Sequence, residues 1–145
     1  MFHINTDERV LGYLGRALSL EFSAVQLYST QSVLVSSWGL TEVADKFRAE
    51  SREEMGHAER IISRMLALGV APNASQLRPV KLGRNLQELL QYDHAFENEL
   101  ISLYDDATRY CMSIADSDSR LFFEALLNEE KEHAVDLVKW MQELQ

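Results

Sequence analysis

Two Glu-x-x-His motifs, at residues 54–57 and 130–133, constrain the fold of this chain more than any other feature of its sequence. Residues three apart on an α-helix share one face, so each motif can present a carboxylate beside an imidazole. A further glutamate precedes each motif by 33 residues: Glu21 comes before the first, and Glu97 before the second. The matched spacing indicates that the two halves of the chain are diverged copies of one helix pair.

Two tyrosines obey the same repeat. Tyr28 follows Glu21 by seven residues, and Tyr104 follows Glu97 by seven. Seven residues are about two turns of an α-helix, so each tyrosine shares a face with its glutamate. We expect both tyrosines to hydrogen-bond carboxylates from just outside a metal site, as polar neighbours of metal ligands commonly do.

The acidic positions lie near the middle of their predicted helices, and mid-helix positions of an antiparallel bundle meet in one layer. Four ionised glutamates buried together would cost several kcal/mol each if nothing compensated them. Two divalent cations carry four positive charges, which balance four carboxylates. Oxygen and imidazole ligands suit iron or manganese. The six candidate ligands are Glu21, Glu54, His57, Glu97, Glu130 and His133.

Apolar residues recur every three or four positions in four long segments, which predicts four α-helices. We place them at about 6–37, 42–68, 86–113 and 118–143, with Phe22 and Val25 among the apolar positions of the first. The only long connection, 70–83, contains both prolines. A single long link between the second and third helices is typical of ferritin-like bundles. The sequence therefore predicts an all-α fold, a ferritin-like antiparallel four-helix bundle with one crossover, as a single domain over residues 1–145.

Composition narrows the function classes. The net charge of −9 argues against a nucleic-acid partner and suits a protein that attracts cations, although acidity also serves solubility alone. One cysteine, Cys111, allows no internal disulfide and no cysteine-rich metal site. The N-terminus lacks the pattern of a signal peptide, and no apolar run approaches the ~20 residues of a membrane span. We expect a cytoplasmic protein with no membrane partner.

With these motifs in place, the sequence resembles the bacterioferritins over nearly its whole length. The matching segments are 20–22, Tyr28, 38–40, 53–60 and 128–133. The resemblance implies that the six candidate ligands form a diiron ferroxidase centre with two iron ions per chain. It also implies that Fe(II) is oxidised there by O2 or H2O2, and that ferric mineral is stored in a hollow homo-oligomeric shell.

The resemblance implies a second cofactor. The bacterioferritin methionine at the position of Met55 binds haem b together with its copy in a twofold-related subunit. Simple interface packing is the alternative role for Met55. We expect a shell of 12 or 24 chains and an electron-donor ferredoxin as a partner. A shell of 24 chains should have a wider fourfold opening, since the family's usual fifth helix has no counterpart before Gln145. Gly56 replaces a family lysine.

Two other functions stay open at this point. A rubrerythrin-like diiron peroxidase would share the bundle, but that family adds a glutamate ligand and usually a cysteine-rich domain that one cysteine cannot build. A non-catalytic haem-binding or interaction bundle would use the acidic layer only structurally. His94, three residues before Glu97, is interpreted as a structural hydrogen-bonding residue.

Overall fold

The computed structural model describes residues 7–74 and 76–144, and this part of the chain contains four α-helices and no strand. All four predicted helices are present, with bounds that differ from the prediction by at most two residues. The predicted first residue of the first helix, Thr6, lies outside the described residues. The helices are α1 (Glu8–Ser37), α2 (Thr41–Ala67), α3 (Leu86–Ser113) and α4 (Ser117–Glu143).

Three helices begin at a side chain that accepts hydrogen bonds from the exposed N–H groups of the first turn. Asp7, Asn85 and Asp116 fill this position for α1, α3 and α4. Asn85 Oδ1 accepts from the N–H of Glu88 at 2.9 Å. The Glu88 carboxylate in turn accepts from the backbone N–H of Arg84 at 3.4 Å. These bonds fix where the helices start, because they satisfy donors that no helix can satisfy internally.

The first and third helices end in the same way. Gly39 follows α1 with φ 84°, and Ala115 occupies the equivalent position after α3 with φ 57°. In both places the next residue donates its N–H to the carbonyl five residues earlier, at 3.0 and 2.9 Å. Glycine adopts this left-handed conformation without a steric cost, whereas alanine does not. The repeat therefore extends to the turns, with a strained residue in the second copy.

The first helix pair, α1 with α2, is antiparallel. Ser32 Oγ donates to the carbonyl of Ala44 at 2.8 Å, and further from the turn Ser29 Oγ lies 2.7 Å from Ser51 Oγ. Tyr28 stacks on a phenylalanine of α2 with ring centroids 6.4 Å apart. The pair belongs to a compact unit that ends at Val80.

The connection that follows α2 lies along α1. The backbone N–H of Arg78 donates to Ser23 Oγ at 2.9 Å, and Ser23 Oγ donates to the carbonyl of Ser19 at 2.8 Å. Near the start of α1, a Cβ added to Gly15 would lie only 3.1 Å from Asn73 Oδ1. The absence of a side chain at Gly15 thus allows the connection to approach the helix closely.

The second helix pair, α3 with α4, forms a unit that begins at Lys81. Tyr104 of α3 packs on Phe123 of α4, with ring centroids 6.4 Å apart and both side chains fully buried. Phe122 meets Phe123 edge to face. The tyrosine–phenylalanine contact occupies the same place in each helix pair, which agrees with the repeat read from the sequence. Among the described residues, none of the four helices is both long and apolar enough to cross a membrane.

Candidate metal centre

The first helix pair brings together three of the six candidate ligands, which we call the first half-site: Glu21, Glu54 and His57. Glu21 extends from the middle of α1, and the other two occupy one face of α2. His57 Nδ1 lies 3.0 Å from Glu21 Oε2 and 3.4 Å from Glu54 Oε1. Both carboxylates are fully buried, and the imidazole is 4% exposed.

The second helix pair contains the second half-site: Glu97, Glu130 and His133. His133 Nδ1 lies 3.4 Å from Glu130 Oε2 and 4.0 Å from Glu97 Oε1. Both glutamates are fully buried. Each half-site therefore has the same composition: one glutamate from the first helix of the pair, and a glutamate and a histidine from the second helix.

Both half-sites fit a first-row metal ion. Carboxylate oxygens and imidazole nitrogens bind such ions at about 2.0–2.2 Å, so neighbouring donors around one ion lie about 3 Å apart. Within each half-site, the three donor atoms lie within 4.8 Å of one another. The donor sets contain oxygen and nitrogen but no sulfur, and such sets suit iron or manganese.

The comparisons with known proteins agree with this geometry. A model of the ferritin-like domain matches residues 11–145. The chain is 39% identical to the bacterioferritin of Rhodobacter capsulatus over 127 residues, which cover 88% of this chain and 79% of that protein. The chain belongs to the bacterioferritin family. A second member, from Mycolicibacterium paratuberculosis, is 35% identical over 138 residues, which are 95% of this chain and 86% of that bacterioferritin.

A solved structure of the R. capsulatus bacterioferritin supports the fold assignment. It matches with a TM-score of 0.92 and 37% identity, and the match covers 96% of this chain and 87% of that one. The predicted fold class, an all-α ferritin-like four-helix bundle, is thereby confirmed. That protein has a metal-free dinuclear site in the structure and a haem iron in a crystallographic special position.

The two tyrosines predicted beside the site are fully buried, Tyr28 in the first helix pair and Tyr104 in the second. Each packs its ring on the phenylalanine of the neighbouring helix. A buried phenol usually has a hydrogen-bond partner for its hydroxyl group. The packing fixes each ring and therefore the position of that hydroxyl.

Met55 lies on a different face of α2 from the ligands. Its side chain is 37% exposed, whereas the adjacent Glu54 is fully buried. The next residue, Gly56, is half-buried, and a Cβ added there would meet nothing within 4 Å. The surface of α2 is therefore open at Met55 and Gly56 among the described residues.

Sequence reasoning missed one buried acid. Asp93 of α3 is fully buried and precedes Glu97 by four residues, so both carboxylates lie on one face of the helix. The four-residue spacing between Asp93 and Glu97 was the only sequence feature that linked Asp93 to the site. The repeat did not indicate it, because Ala17 occupies the corresponding position in the first half. His94, which the sequence flagged, is half-buried.

Two apolar residues of α1 lie at the surface of the first unit and not in its core. Phe22 and Val25 are half-buried and line a groove of about 530 Å³ in the first unit. The remaining lining residues of this groove are Gln26, Ala74, Gln76 and Leu77. The groove is therefore formed by α1 and the connection that follows α2.

Proposed function

We propose that the protein oxidises and stores iron. The observation that carries the proposal is the pair of half-sites, each with two buried carboxylates and one imidazole within bonding reach of a single cation. On this proposal the first half-site binds one Fe(II) and the second binds another, and together they act as a dinuclear ferroxidase centre. The family relationship supports the assignment, since the R. capsulatus relative has a dinuclear site.

The charges favour two divalent ions. Four carboxylates buried without counter-charges would destabilise the protein by several kcal/mol each. Two Fe(II) ions contribute four positive charges and so remove that cost. The six side chains would hold the substrate ions, three side chains in each half-site, while O2 or H2O2 accepts the electrons. Tyr28 and Tyr104 orient the carboxylates, because a hydrogen bond to a metal ligand fixes its conformation.

The proposal extends to assembly and to haem. Oxidised iron would be stored as ferric mineral inside a closed homo-oligomeric shell of 12 or 24 chains, built from twofold dimers. Met55 of each of two chains would hold haem b between them, and the haem would supply electron transfer from a ferredoxin to the mineral. We place the protein in the cytoplasm.

Rapid mixing of the metal-free protein with Fe(II) and O2 tests the ferroxidase assignment. Wild type should oxidise two Fe(II) per chain rapidly and then continue to turn over added Fe(II). Glu130→Ala should abolish the rapid phase, because it removes a ligand and a charge from the second half-site. Glu132→Ala is the matched control, since Glu132 is an exposed carboxylate of the same motif.

An unchanged rate in Glu130→Ala would place the oxidation site elsewhere. Uptake that stops at two metals per chain without turnover would favour the non-catalytic bundle. A strong preference for H2O2 with no mineral formed would favour the rubrerythrin-like peroxidase.

Two measurements test assembly and haem. Light scattering at micromolar chain concentration should give the mass of a closed shell, and a monomer or simple dimer would contradict storage in a shell. Met55→Leu keeps the apolar volume but has no sulfur to donate. It should lose the low-spin haem spectrum and the stoichiometry of one haem per two chains, whereas an unchanged spectrum would contradict the role of Met55.

A further inference from the structure

A line of exposed residues on α2 surrounds Met55 with an uneven distribution of charge. We call Arg48, Arg52, Met55 and Glu59 the Met55 stripe, because their spacings of four, three and four residues place them along one side of the helix. All four are exposed. Two guanidinium groups thus precede the thioether, at about 4.5 and 10.5 Å along the helix axis, and a carboxylate follows it at about 6 Å.

The two arginines are available for a new partner. Among the described residues, Arg48 pairs only with Asp45, at 3.4 Å, and both side chains are largely exposed, which makes the pair weak. Within residues 7–74 and 76–144, Arg52 forms no salt bridge.

Arg52 borders the line along which α1 and α2 meet. The preceding residue, Ser51, donates to the carbonyl of Val25 at 3.2 Å and lies 2.7 Å from Ser29 Oγ. Val25 also lines the half-exposed groove of the first unit. Arg52 is therefore next in sequence to a residue that contacts α1 at Val25, one of the residues that line the groove.

We propose that Arg52, assisted by Arg48, binds a propionate carboxylate of a haem held between two chains. The inference rests on the proposed haem site at Met55. Haem carries two propionates on one edge, and the Arg52 guanidinium, about one helical turn from the Met55 thioether, is available to one of these carboxylates. Guanidinium binds carboxylate with two parallel hydrogen bonds, which gives direction as well as affinity.

Twofold symmetry would provide one Arg52 for each of the two propionates of a haem. A haem that lies on a twofold axis meets the same stripe twice, once from each chain. Two copies of Arg52 then face two propionates, one for each carboxylate. The neutral thioether ligands contribute no charge, so the arginines supply the positive charge that balances the anionic edge.

Titration of haem-free protein with ferric haem b, followed in the Soret band, tests the proposal. Arg52→Gln should weaken haem binding about tenfold or more, the effect expected for a lost charge-assisted hydrogen bond. Arg52→Lys keeps the charge and should recover part of that loss. Lys46→Gln is the matched control, because it removes one positive charge of α2 about 180° around the helix from Met55.

The same titration with the dimethyl ester of haem tests whether the propionate charge is responsible, because the esterified propionates carry no charge. Wild type and Arg52→Gln should bind the ester equally, so the difference between them should vanish. Equal affinity of wild type and Arg52→Gln for haem b would overturn the proposal, as would a loss that is the same for haem b and its ester. If Met55→Leu retains the wild-type haem spectrum, both the proposed haem site and this proposal are wrong. If Met55→Leu loses that spectrum but Arg52→Gln binds haem b as tightly as wild type, only this proposal is wrong.

Discussion

Replacement of Glu130 by glutamine should stabilise the metal-free protein while it weakens metal binding. Glu130 and Glu97 are both fully buried within the second helix pair, and Glu130 Oε2 lies 3.4 Å from His133 Nδ1. Glutamine has nearly the same shape as glutamate but no charge. Removal of one buried charge should therefore raise the free energy of unfolding of the metal-free protein by about 1–3 kcal/mol.

Metal should reverse the order of stability. A metal at 100 times its dissociation constant stabilises the wild type by about 2.7 kcal/mol for each site, because it binds only the folded state. Glu130→Gln lacks one anionic ligand of the second half-site and should gain much less there. The variant is then the more stable protein without metal, and the wild type is the more stable protein with metal.

Urea unfolding at one fixed chain concentration measures both effects, with and without Fe(II) under anaerobic conditions. For a chain of this length, 1 kcal/mol corresponds to about 2–4 °C in a parallel thermal scan. Glu132→Gln, an exposed neighbour, should change neither value. A Glu130→Gln variant that is less stable than wild type without metal would refute the reasoning, because the buried carboxylate would then stabilise the fold by itself.

Three further predictions concern the turns, an open helix surface and the buried tyrosines. Both Ala115 and Gly39 have a positive φ, which glycine adopts more easily than alanine. In the same urea assay, Ala115→Gly should therefore raise the free energy of unfolding by about 0.5–1 kcal/mol, and Gly39→Ala should lower it by about 1 kcal/mol. Changes in the same direction for the two variants would contradict this reasoning. Gly56→Ala should raise the free energy of unfolding by about 0.5–1 kcal/mol, because the added methyl group meets nothing; a decrease would show an unseen clash. Tyr28→Phe and Tyr104→Phe should slow Fe(II) oxidation about tenfold while metal still binds, whereas unchanged rates would leave the hydroxyl groups without the proposed role.

The helices could be predicted from the sequence because their ends carry strong local signals. Asn85 with Glu88 marks the start of α3, and Gly39 marks the end of α1. Ala115 was not predicted to adopt a positive φ, since alanine normally avoids that conformation. The backbone bonds of the turn, rather than the residue's own preference, hold it there.

The sequence also predicted which side chains come together. The repeat indicated three candidate ligands in each half, and each helix pair brings its own three together. Periodicity could not reveal that Phe22 and Val25 line a groove, because an apolar side chain under a connection and one in the core follow the same spacing. Asp93 was missed because it has no counterpart in the repeat, and a four-residue spacing to Glu97 alone does not show that an acid is buried.

The bond between Arg78 and Ser23 bears on how the chain withstands proteases. A connection with two prolines and no helix is where cleavage would be expected, because proteolysis concentrates in exposed segments with little structure. Here the backbone N–H of Arg78 is bonded to Ser23 of α1, and the side chain of Asn73 packs closely beside Gly15. Arg78 also precedes a proline, and trypsin-like enzymes cleave such a bond poorly. This segment must therefore detach from α1 before a protease can cleave it. The rate at which the folded protein is digested then depends on how often the connection opens locally.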